Sequence, residues 1–256
     1  MQLRHRHVLF AALLLPLALT ACDEPDHLAL AEEAYRARDC DGAISHLDTA
    51  LEDGSKNSNL YLFRGMVRSF CLGQFAAAIP DYDRAIDLIE PERRRTSEVR
   101  HAFRGRGMTR FMLGEFERAA EDFAAGVNLQ PDDVRARVLW GLAVARSGAD
   151  PTDQLREFTA GREESGWPRP LLELLLGEIG AEECLAAAAD PDPERARGNL
   201  CEAHFYIGEY LLLGGDTEGA AARFRDCVAT GAEDHNEHML AREELKRLER
   251  SEGKRP

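Results

Sequence analysis

The chain has 256 residues, of which 44% are hydrophobic and 7% are aromatic. Its 46 acidic residues outnumber its 32 basic residues, which gives a formal net charge of −14. A protein this acidic is repelled by phosphate backbones and by anionic lipid headgroups. The composition therefore argues against nucleic-acid binding and against electrostatic docking on a membrane surface.

The N-terminal segment predicts a bacterial lipoprotein signal. A short basic stretch precedes a fourteen-residue apolar run that ends at Ala21, and residues 19–22 read Leu-Thr-Ala-Cys, the pattern of a lipobox. A run of this length is shorter than the roughly 20 residues that span a bilayer as a helix. We therefore expect residues 1–21 to be cleaved as a signal peptide and Cys22 to carry a diacylglycerol on its thiol.

This signal also predicts where the protein resides. Cleavage removes two arginines and leaves 30 basic residues against 46 acidic ones, a formal charge of −16. Membrane attachment must then come from the lipid, and two or three acyl chains anchor a protein stably where one does not. We expect the protein to be lipid-anchored in the bacterial cell envelope and to face the periplasm, with the inner and outer membranes both open.

Small and aromatic residues recur beyond residue 27 with a period of about 34 residues, which is typical of tetratricopeptide repeats. The clearest copy runs from residue 100 to residue 133. In it, Gly107 and Ala119 let two helices approach closely, Phe123 fills the space between them, and Pro131 cannot continue the second helix. Each repeat is a helix-turn-helix unit that buries its apolar face against its neighbours.

Further copies of the pattern cover most of the chain. A second clear copy begins at Cys201, and a third has one extra residue between Gly65 and Gly73, which suggests an irregular first helix. Two looser copies cover residues 27–56 and 134–162, and short helices are expected at residues 171–176 and 181–189.

The predicted organisation is all-α: a tetratricopeptide-repeat, right-handed helical solenoid over residues 27–250. A short tether, residues 22–26, precedes it, and a disordered tail, residues 251–256, follows it. The last predicted helix, residues 236–250, is rich in Glu, Arg and Leu. It is expected to cap the solenoid with a solvated outer face.

Several stretches of the C-terminal third resemble the NlpI-type tetratricopeptide lipoproteins. They are Gly166-Trp167, Leu175 to Ile179, Glu202 to Tyr210, Gly215-Asp216, Glu237-His238 and Glu244-Leu245. The resemblance implies an envelope-anchored adaptor that binds periplasmic C-terminal-processing proteases and peptidoglycan hydrolases, and it implies a homodimer. The N-terminal repeats match only as tetratricopeptides.

The first helices of such an array line a concave surface that suits a peptide or a helix. The residues predicted to face it are Arg64, Met66, Arg68, His101, Arg104, Met108, Phe111 and Met112. Arginines beside methionines favour a peptide with acidic and apolar side chains. Alternatively, Phe111 and one or both methionines of its helix belong to the core between repeats.

Five cysteines remain after lipidation: Cys40, Cys71, Cys184, Cys201 and Cys227. An oxidising periplasm favours disulfides, and the odd count leaves one cysteine over. Cys40 with Cys71 is the favoured pair, because neighbouring repeats can bring them together. Cys201 could pair with Cys227 or with Cys184, and buried free thiols are the alternative.

No catalytic motif stands out, so neither an enzyme nor a cofactor is expected. His235 and His238 are spaced so that both imidazoles could share one helical face and bind zinc, as a metal-dependent hydrolase would require. The favoured interpretation is a polar helix start with Asp234 as N-cap, and no metal.

The function favoured by the sequence is a lipid-anchored adaptor that brings a protease or a cell-wall hydrolase to its substrate. A component of an outer-membrane protein assembly machine is the alternative, since such machines also use tetratricopeptide lipoproteins.

Overall fold

The computed structural model describes residues 26–52, 54–89, 97–161 and 166–252. The predicted signal peptide, Cys22 and residues 253–256 lie outside this part of the chain. Within the described residues there are thirteen α-helices and no strand. They are α1 (His27–Arg36), α2 (Cys40–Leu51), α3 (Ser58–Met66), α4 (Phe75–Leu88), α5 (Ser97–Leu113), α6 (Phe116–Leu129), α7 (Val134–Arg146), α8 (Thr152–Thr159), α9 (Arg169–Leu175), α10 (Ala181–Ala187), α11 (Pro193–Leu213), α12 (Thr217–Ala229) and α13 (Asn236–Glu252).

Short polar side chains set many of the helix starts. A side-chain oxygen at the N-cap accepts hydrogen bonds from backbone N–H groups of the first turn, which have no partner inside the helix. The residues that do so are Asp26, Asp39, Asn57, Asp133, Asp192 and Asp216. Several of the chain's acidic side chains therefore serve to start helices.

None of the described helices combines the length and apolar character that a membrane crossing requires.

Successive helices pack in pairs, and the spacing of small and aromatic residues explains why. A Cβ atom on Gly107 would lie 2.8 Å from the ring of Phe123, and one on Gly208 would lie 2.5 Å from the ring of Phe224. Because no Cβ is present, the first helix of each pair approaches the ring of the second closely. The pairs α1–α2, α3–α4, α5–α6 and α11–α12 stack in order, with α4 against α5 and α6 against α7. The chain is an all-α tetratricopeptide solenoid.

Two places depart from the regular repeat. The extra residue between Gly65 and Gly73 is accommodated by a π-helical turn, Val67–Cys71, that continues α3. In the second place, α8 is only eight residues long, and the short helices α9 and α10 follow it. Helix α9 packs against both α7 and α11, and its Leu171, Leu172 and Leu174 side chains are buried. It thereby bridges the gap between the central and the C-terminal repeats.

Helix α13 packs against α12 and α11, as a C-terminal capping helix should. It also reaches much further back, because the Arg247 Nη2 atom donates hydrogen bonds to the backbone oxygens of Phe111 (3.2 Å) and Met112 (2.9 Å) at the end of α5. The solvated face is narrower than expected for a cap. From residue 237 to residue 251 the exposed residues are Arg242, Lys246, Glu249, Arg250 and Ser251. Helix α13 extends to Glu252, so the first two residues of the predicted tail are helical.

Candidate interaction surface

The concave side of the central repeats is occupied by α13. Leu240 of this helix shares an apolar contact region with Met108 and Phe111 of α5, Leu142 of α7 and Phe205 of α11, and no space for a water molecule remains there. Leu240 is 1% exposed. The first helices of three repeats therefore meet a segment of the same chain where a ligand was predicted.

This arrangement corrects part of the predicted peptide-binding surface. Met108 and Phe111 are each 2% exposed and Met112 is 8% exposed. All three belong to the main hydrophobic core, together with Leu240. The apolar face of α5 is wide enough to pack against α6, α7 and α13 at once, so these side chains are core residues and a ligand cannot reach them.

Arg64 and Arg68 are already paired within the chain, because both bind the buried carboxylate of Asp81. Arg64 Nη2 lies 2.6 Å from Asp81 Oδ1, and Arg68 Nη1 lies 2.7 Å from Asp81 Oδ2. Arg64 Nη1 also lies 2.7 Å from Asp48 Oδ1 on α2. These guanidinium groups join α3 to α4 and α2, so their role is to hold neighbouring helices together.

The same arrangement recurs in the next repeat, where Arg106 and Arg110 of α5 bind Asp122 of α6 at 2.6 Å and 2.9 Å. Arg106 Nη1 reaches Asp83 on α4 at 2.5 Å. Burial opposes the charge of Arg106, but hydrogen bonds from it to Asp122 and Asp83 outweigh burial and raise its pKa. Sequence reasoning missed these ion pairs.

A sequence signal for the ion pairs does exist. In both repeats an arginine directly precedes the glycine of the first helix, and an aspartate directly precedes the aromatic residue of the second helix. Since the glycine and the ring pack together, the residues next to them are also brought close. The pairs are Arg64-Gly65 with Asp81-Tyr82 and Arg106-Gly107 with Asp122-Phe123.

Five of the eight predicted surface residues remain at least partly accessible, among them the ion-paired Arg64 and Arg68. His101 is exposed, and Met66 and Arg104 are half-buried. Burial lowers the pKa of His101, and the positive charges of Arg100 and Arg104 lower it further. The lowered pKa favours the neutral form of the His101 imidazole.

A buried charge network holds α13 against α7 and α11. Arg146 of α7 pairs with Glu209 of α11 and lies 3.5 Å from Glu244 of α13, while Arg247 also pairs with Glu244. The Arg146 guanidinium lies 4.5 Å from the centre of the Phe116 ring, within range of a cation–π interaction. Burial raises the pKa of Glu209 to about 8, and the nearby Glu244 carboxylate adds to the shift, which Arg146 opposes.

A second polar cluster lies at the start of α13. Glu202 of α11 accepts hydrogen bonds from Arg135 (3.2 Å) and from Trp167 Nε1 (3.1 Å). One potential ligand atom from each of Glu202, His235 and Glu237 lies within 4.8 Å of the others. His238 is buried outside this cluster. The structure therefore does not bring His235 and His238 together as the sequence hypothesis of a two-histidine metal site requires.

The stretches that resemble NlpI-type lipoproteins supply most of these buried polar residues. Trp167, Glu202, Glu209, Glu237 and Glu244 all come from them. Their structural role here is to fasten α13 to the first helices. Sequence reasoning singled the stretches out without recognising this role, because the residues are distant in sequence.

A groove of about 560 Å³ lies at the C-terminal ends of α7 and α11. Its walls include Leu175, Tyr210 and Leu213, and its rim includes Asp150 and Asp216. Tyr210 is 38% exposed and Leu213 is 41% exposed. Both aspartates lie on the surface and accept hydrogen bonds from the backbone at the starts of α8 and α12. The groove thus combines apolar walls with an acidic rim.

The cysteines fall into three sets. Cys40 and Cys71 form a disulfide, with their Cα atoms 6.0 Å apart. Cys201 and Cys227 are buried free thiols with sulfur atoms 3.3 Å apart. Cys184 is a buried free thiol, and burial raises its pKa to about 12. Of the partners that the sequence left open for Cys201, the structure places Cys227 beside it.

No protein-family model matches the chain. Solved structures with a similar fold include a tetratricopeptide repeat protein from Parabacteroides merdae (16% identity, TM-score 0.47, covering 87% of this chain and 97% of that one). MamA from Desulfovibrio magneticus RS-1, from residue 41 to its end, is 18% identical with a TM-score of 0.46, over 80% of this chain and 93% of that one. YrrB, described as a tetratricopeptide protein with an unusual peptide-binding site, is 17% identical with a TM-score of 0.45, over 84% of this chain and 90% of that one.

Proposed function

We propose that this protein is a lipid-anchored scaffold of the bacterial cell envelope that holds a periplasmic processing protease or a cell-wall hydrolase beside its substrate. The lipobox before Cys22 and the resemblance of the C-terminal third support the location and the class of partner. The observation that carries the proposal is the groove with the exposed Tyr210 and Leu213, since large exposed apolar side chains that cluster on a surface mark interaction sites.

The chemistry of the groove indicates what it binds. Leu175, Tyr210 and Leu213 offer apolar contacts, and Asp150 and Asp216 place two carboxylates at the rim. A partner segment with an apolar side chain and a flanking Lys or Arg complements both features. This differs from the acidic peptide expected from the sequence, because Arg64 and Arg68 are already paired with Asp81.

In this mechanism catalysis belongs to the partner. The scaffold raises the concentration of the enzyme near its substrate by holding both at one membrane surface. Tethering of this kind raises avidity by roughly 100-fold or more without any new contact.

Crosslinking in the native envelope tests the groove. We expect a tagged wild-type protein to capture a processing protease or a cell-wall hydrolase, and the double variant Tyr210→Glu, Leu213→Glu to lose this capture. Leu113→Glu is the matched control, because Leu113 is 39% exposed at the end of α5 and lies outside the groove. Equal capture by all three proteins would place the binding site elsewhere. Recovery of only a β-barrel assembly complex would favour the alternative function.

Metabolic labelling with palmitate tests the anchor. Cys22→Ser removes the thiol that accepts the lipid, so the variant should no longer incorporate labelled palmitate. Cys184→Ser is the control, since Cys184 is buried in the solenoid. Labelling that persists in the Cys22 variant would contradict the proposed anchor.

A further inference from the structure

The junction between α11 and α13 contains two carboxylates and one imidazole that converge on one point. Glu202 is 4% exposed and Glu237 is 6% exposed, so both carboxylates are removed from bulk water. Together with His235 they offer three ligand atoms within 4.8 Å of one another. Burying two carboxylates side by side is costly unless cations or hydrogen-bond donors compensate them.

The carboxylate of Glu237 accepts no hydrogen bond from a neighbouring side chain among the described residues, and the nearby Arg104 is the permanently charged cation that favours its ionised form. Its own backbone N–H lies close enough to favour the ionised form. Burial and the nearby Glu202 carboxylate raise the pKa of Glu237, while Arg104 and the His235 ring oppose this shift. Two carboxylates that are each more than nine-tenths buried and lie close together repel each other, and a bound cation would relieve this repulsion.

Gly198 of α11 leaves the space in which the His235 imidazole lies. A Cβ atom on Gly198 of α11 would overlap Nε2 and Cε1 of this ring, so glycine allows the ring to pack directly on the helix backbone. The other nitrogen, Nδ1, then lies 3.7 Å from Glu202 Oε1. This distance exceeds that of a hydrogen bond, and Nδ1 remains directed at the two carboxylates.

Hydrogen bonds from Arg135 and Trp167 fix the position of the Glu202 carboxylate. Arg135 donates to its Oε1 atom from Nε and Nη2, both at 3.2 Å, and Trp167 Nε1 donates to its Oε2 atom at 3.1 Å. Hydrogen bonds of this kind orient the carboxylates that bind metals in proteins.

From this geometry we propose that Glu202, His235 and Glu237 form a Zn²⁺ site that joins α11 to the first turn of α13. Imidazole nitrogen and carboxylate oxygen are both zinc ligands, at about 2.0–2.2 Å. Ligands at that distance around a tetrahedral ion are about 3.4 Å apart, so shifts of about 1.4 Å or less bring the three atoms together. A water molecule completes the coordination. The imidazole favours zinc over Mg²⁺ or Ca²⁺, which prefer oxygen ligands alone.

Zinc at this junction would stabilise the contact between α11 and the first turn of α13. The ion compensates the Glu202 and Glu237 charges at the N-terminal end of the helix, while Arg146 and Arg247 pair with Glu209 and Glu244 further along. The proposal does not depend on the function proposed above, because it concerns the contact between two helices of the same chain.

Titration with ZnCl₂ tests the site. The mature protein, purified in detergent and stripped with EDTA, is titrated by calorimetry and by thermal denaturation. We expect one Zn²⁺ per chain and a Tm that rises with zinc concentration, since a ligand that binds the folded state stabilises it. Glu237→Gln and His235→Asn should each lose the saturable binding and the Tm shift. Trp167→Phe should weaken binding by roughly 10-fold, because it removes a hydrogen bond to Glu202.

Three controls make the result decisive. Asp234→Asn changes the charge of an exposed neighbour outside the cluster and should bind zinc like the wild type. The double variant Cys201→Ser, Cys227→Ser should also retain binding, which separates the site from the nearby thiols. Circular dichroism in EDTA verifies that the variants fold. Absence of saturable binding in the wild type, undiminished binding in folded Glu237→Gln and His235→Asn, or loss of binding in the thiol variant would each overturn the proposal.

Discussion

Glycines determine how closely the helices of this solenoid approach each other, because they have no side chain. Gly208 permits contact with the Phe224 ring inside one repeat, and Gly105 permits contact with the Tyr82 ring of the preceding repeat, where a Cβ would lie 2.6 Å from a ring atom. Both rings are buried completely. Gly126 is different, because a Cβ on it would meet no atom within 4 Å.

Two alanine substitutions distinguish these roles. Gly208→Ala should lower the free energy of unfolding by about 1–3 kcal/mol, because the new methyl group overlaps the Phe224 ring in a packed core. Gly126→Ala should raise it by about 0.5–1 kcal/mol, because alanine is the better helix former and nothing obstructs it. Urea denaturation measures both. Destabilisation by Gly126→Ala, or none by Gly208→Ala, would contradict this account of the packing.

At the scale of elements, the N-terminal repeat differs from the rest of the chain. Helices α1 to α3 have a small hydrophobic cluster of their own, formed by Ala31, Ala43, Leu47, Leu51, Leu60 and Val67. The disulfide between Cys40 and Cys71 joins the start of α2 to the end of the π-helical turn. A small core gains proportionally more from a crosslink that restricts the unfolded chain.

Removal of this disulfide should therefore loosen the N-terminal helices first. The double variant Cys40→Ser, Cys71→Ser should lose about 2–4 kcal/mol of stability, as expected for a crosslink between residues 31 apart in sequence. Hydrogen exchange should accelerate in α1 and α2 more than in α11 and α12. A uniform acceleration across all repeats would mean that the N-terminal repeat does not open separately.

At the scale of the whole molecule, the position of α13 determines which surfaces are available. The helix fills the concave side of the central repeats and leaves the groove at the C-terminal ends of α7 and α11 open. Where α13 contacts α7 and α11, Arg146 lies beside both Glu209 and Glu244, and Arg247 lies beside Glu244. The balance of these charges makes the contact sensitive to pH.

The direction of the pH dependence follows from Glu209. Its pKa is about 8 in the folded chain against an ordinary value of 4.5, so the protonated carboxyl stabilises the folded state. This contribution is complete below about pH 4.5 and is lost as the pH rises through 8. Urea denaturation between pH 5.5 and 8.5 should show stability falling with pH, and Glu209→Gln should flatten this slope. A variant with the same slope as the wild type would rule out Glu209 as its source.

On the concave face, the sequence predicts which residues lie on the first helices, but it does not predict which distant segment covers them. Arg64, Met66 and Met108 are on first helices, as the period indicates, yet Arg64 is paired with Asp81 and Met108 lies under α13. The Asp81 partner is only 17 residues away and could be found from the repeat pattern. Contact between Arg247 and Phe111 joins residues 136 apart, and no local pattern predicts it.

The helices, their pairing and the order of the repeats can be predicted from the sequence, because they depend on capping residues, helical periodicity and contacts between neighbouring units. The tertiary structure alone decided that α13 lies in the concave groove, that Met108, Phe111 and Met112 are core residues, and that Glu202, His235 and Glu237 converge. The physical reason is curvature. Small rotations between successive repeats accumulate along the solenoid, and their sum decides which distant helices meet.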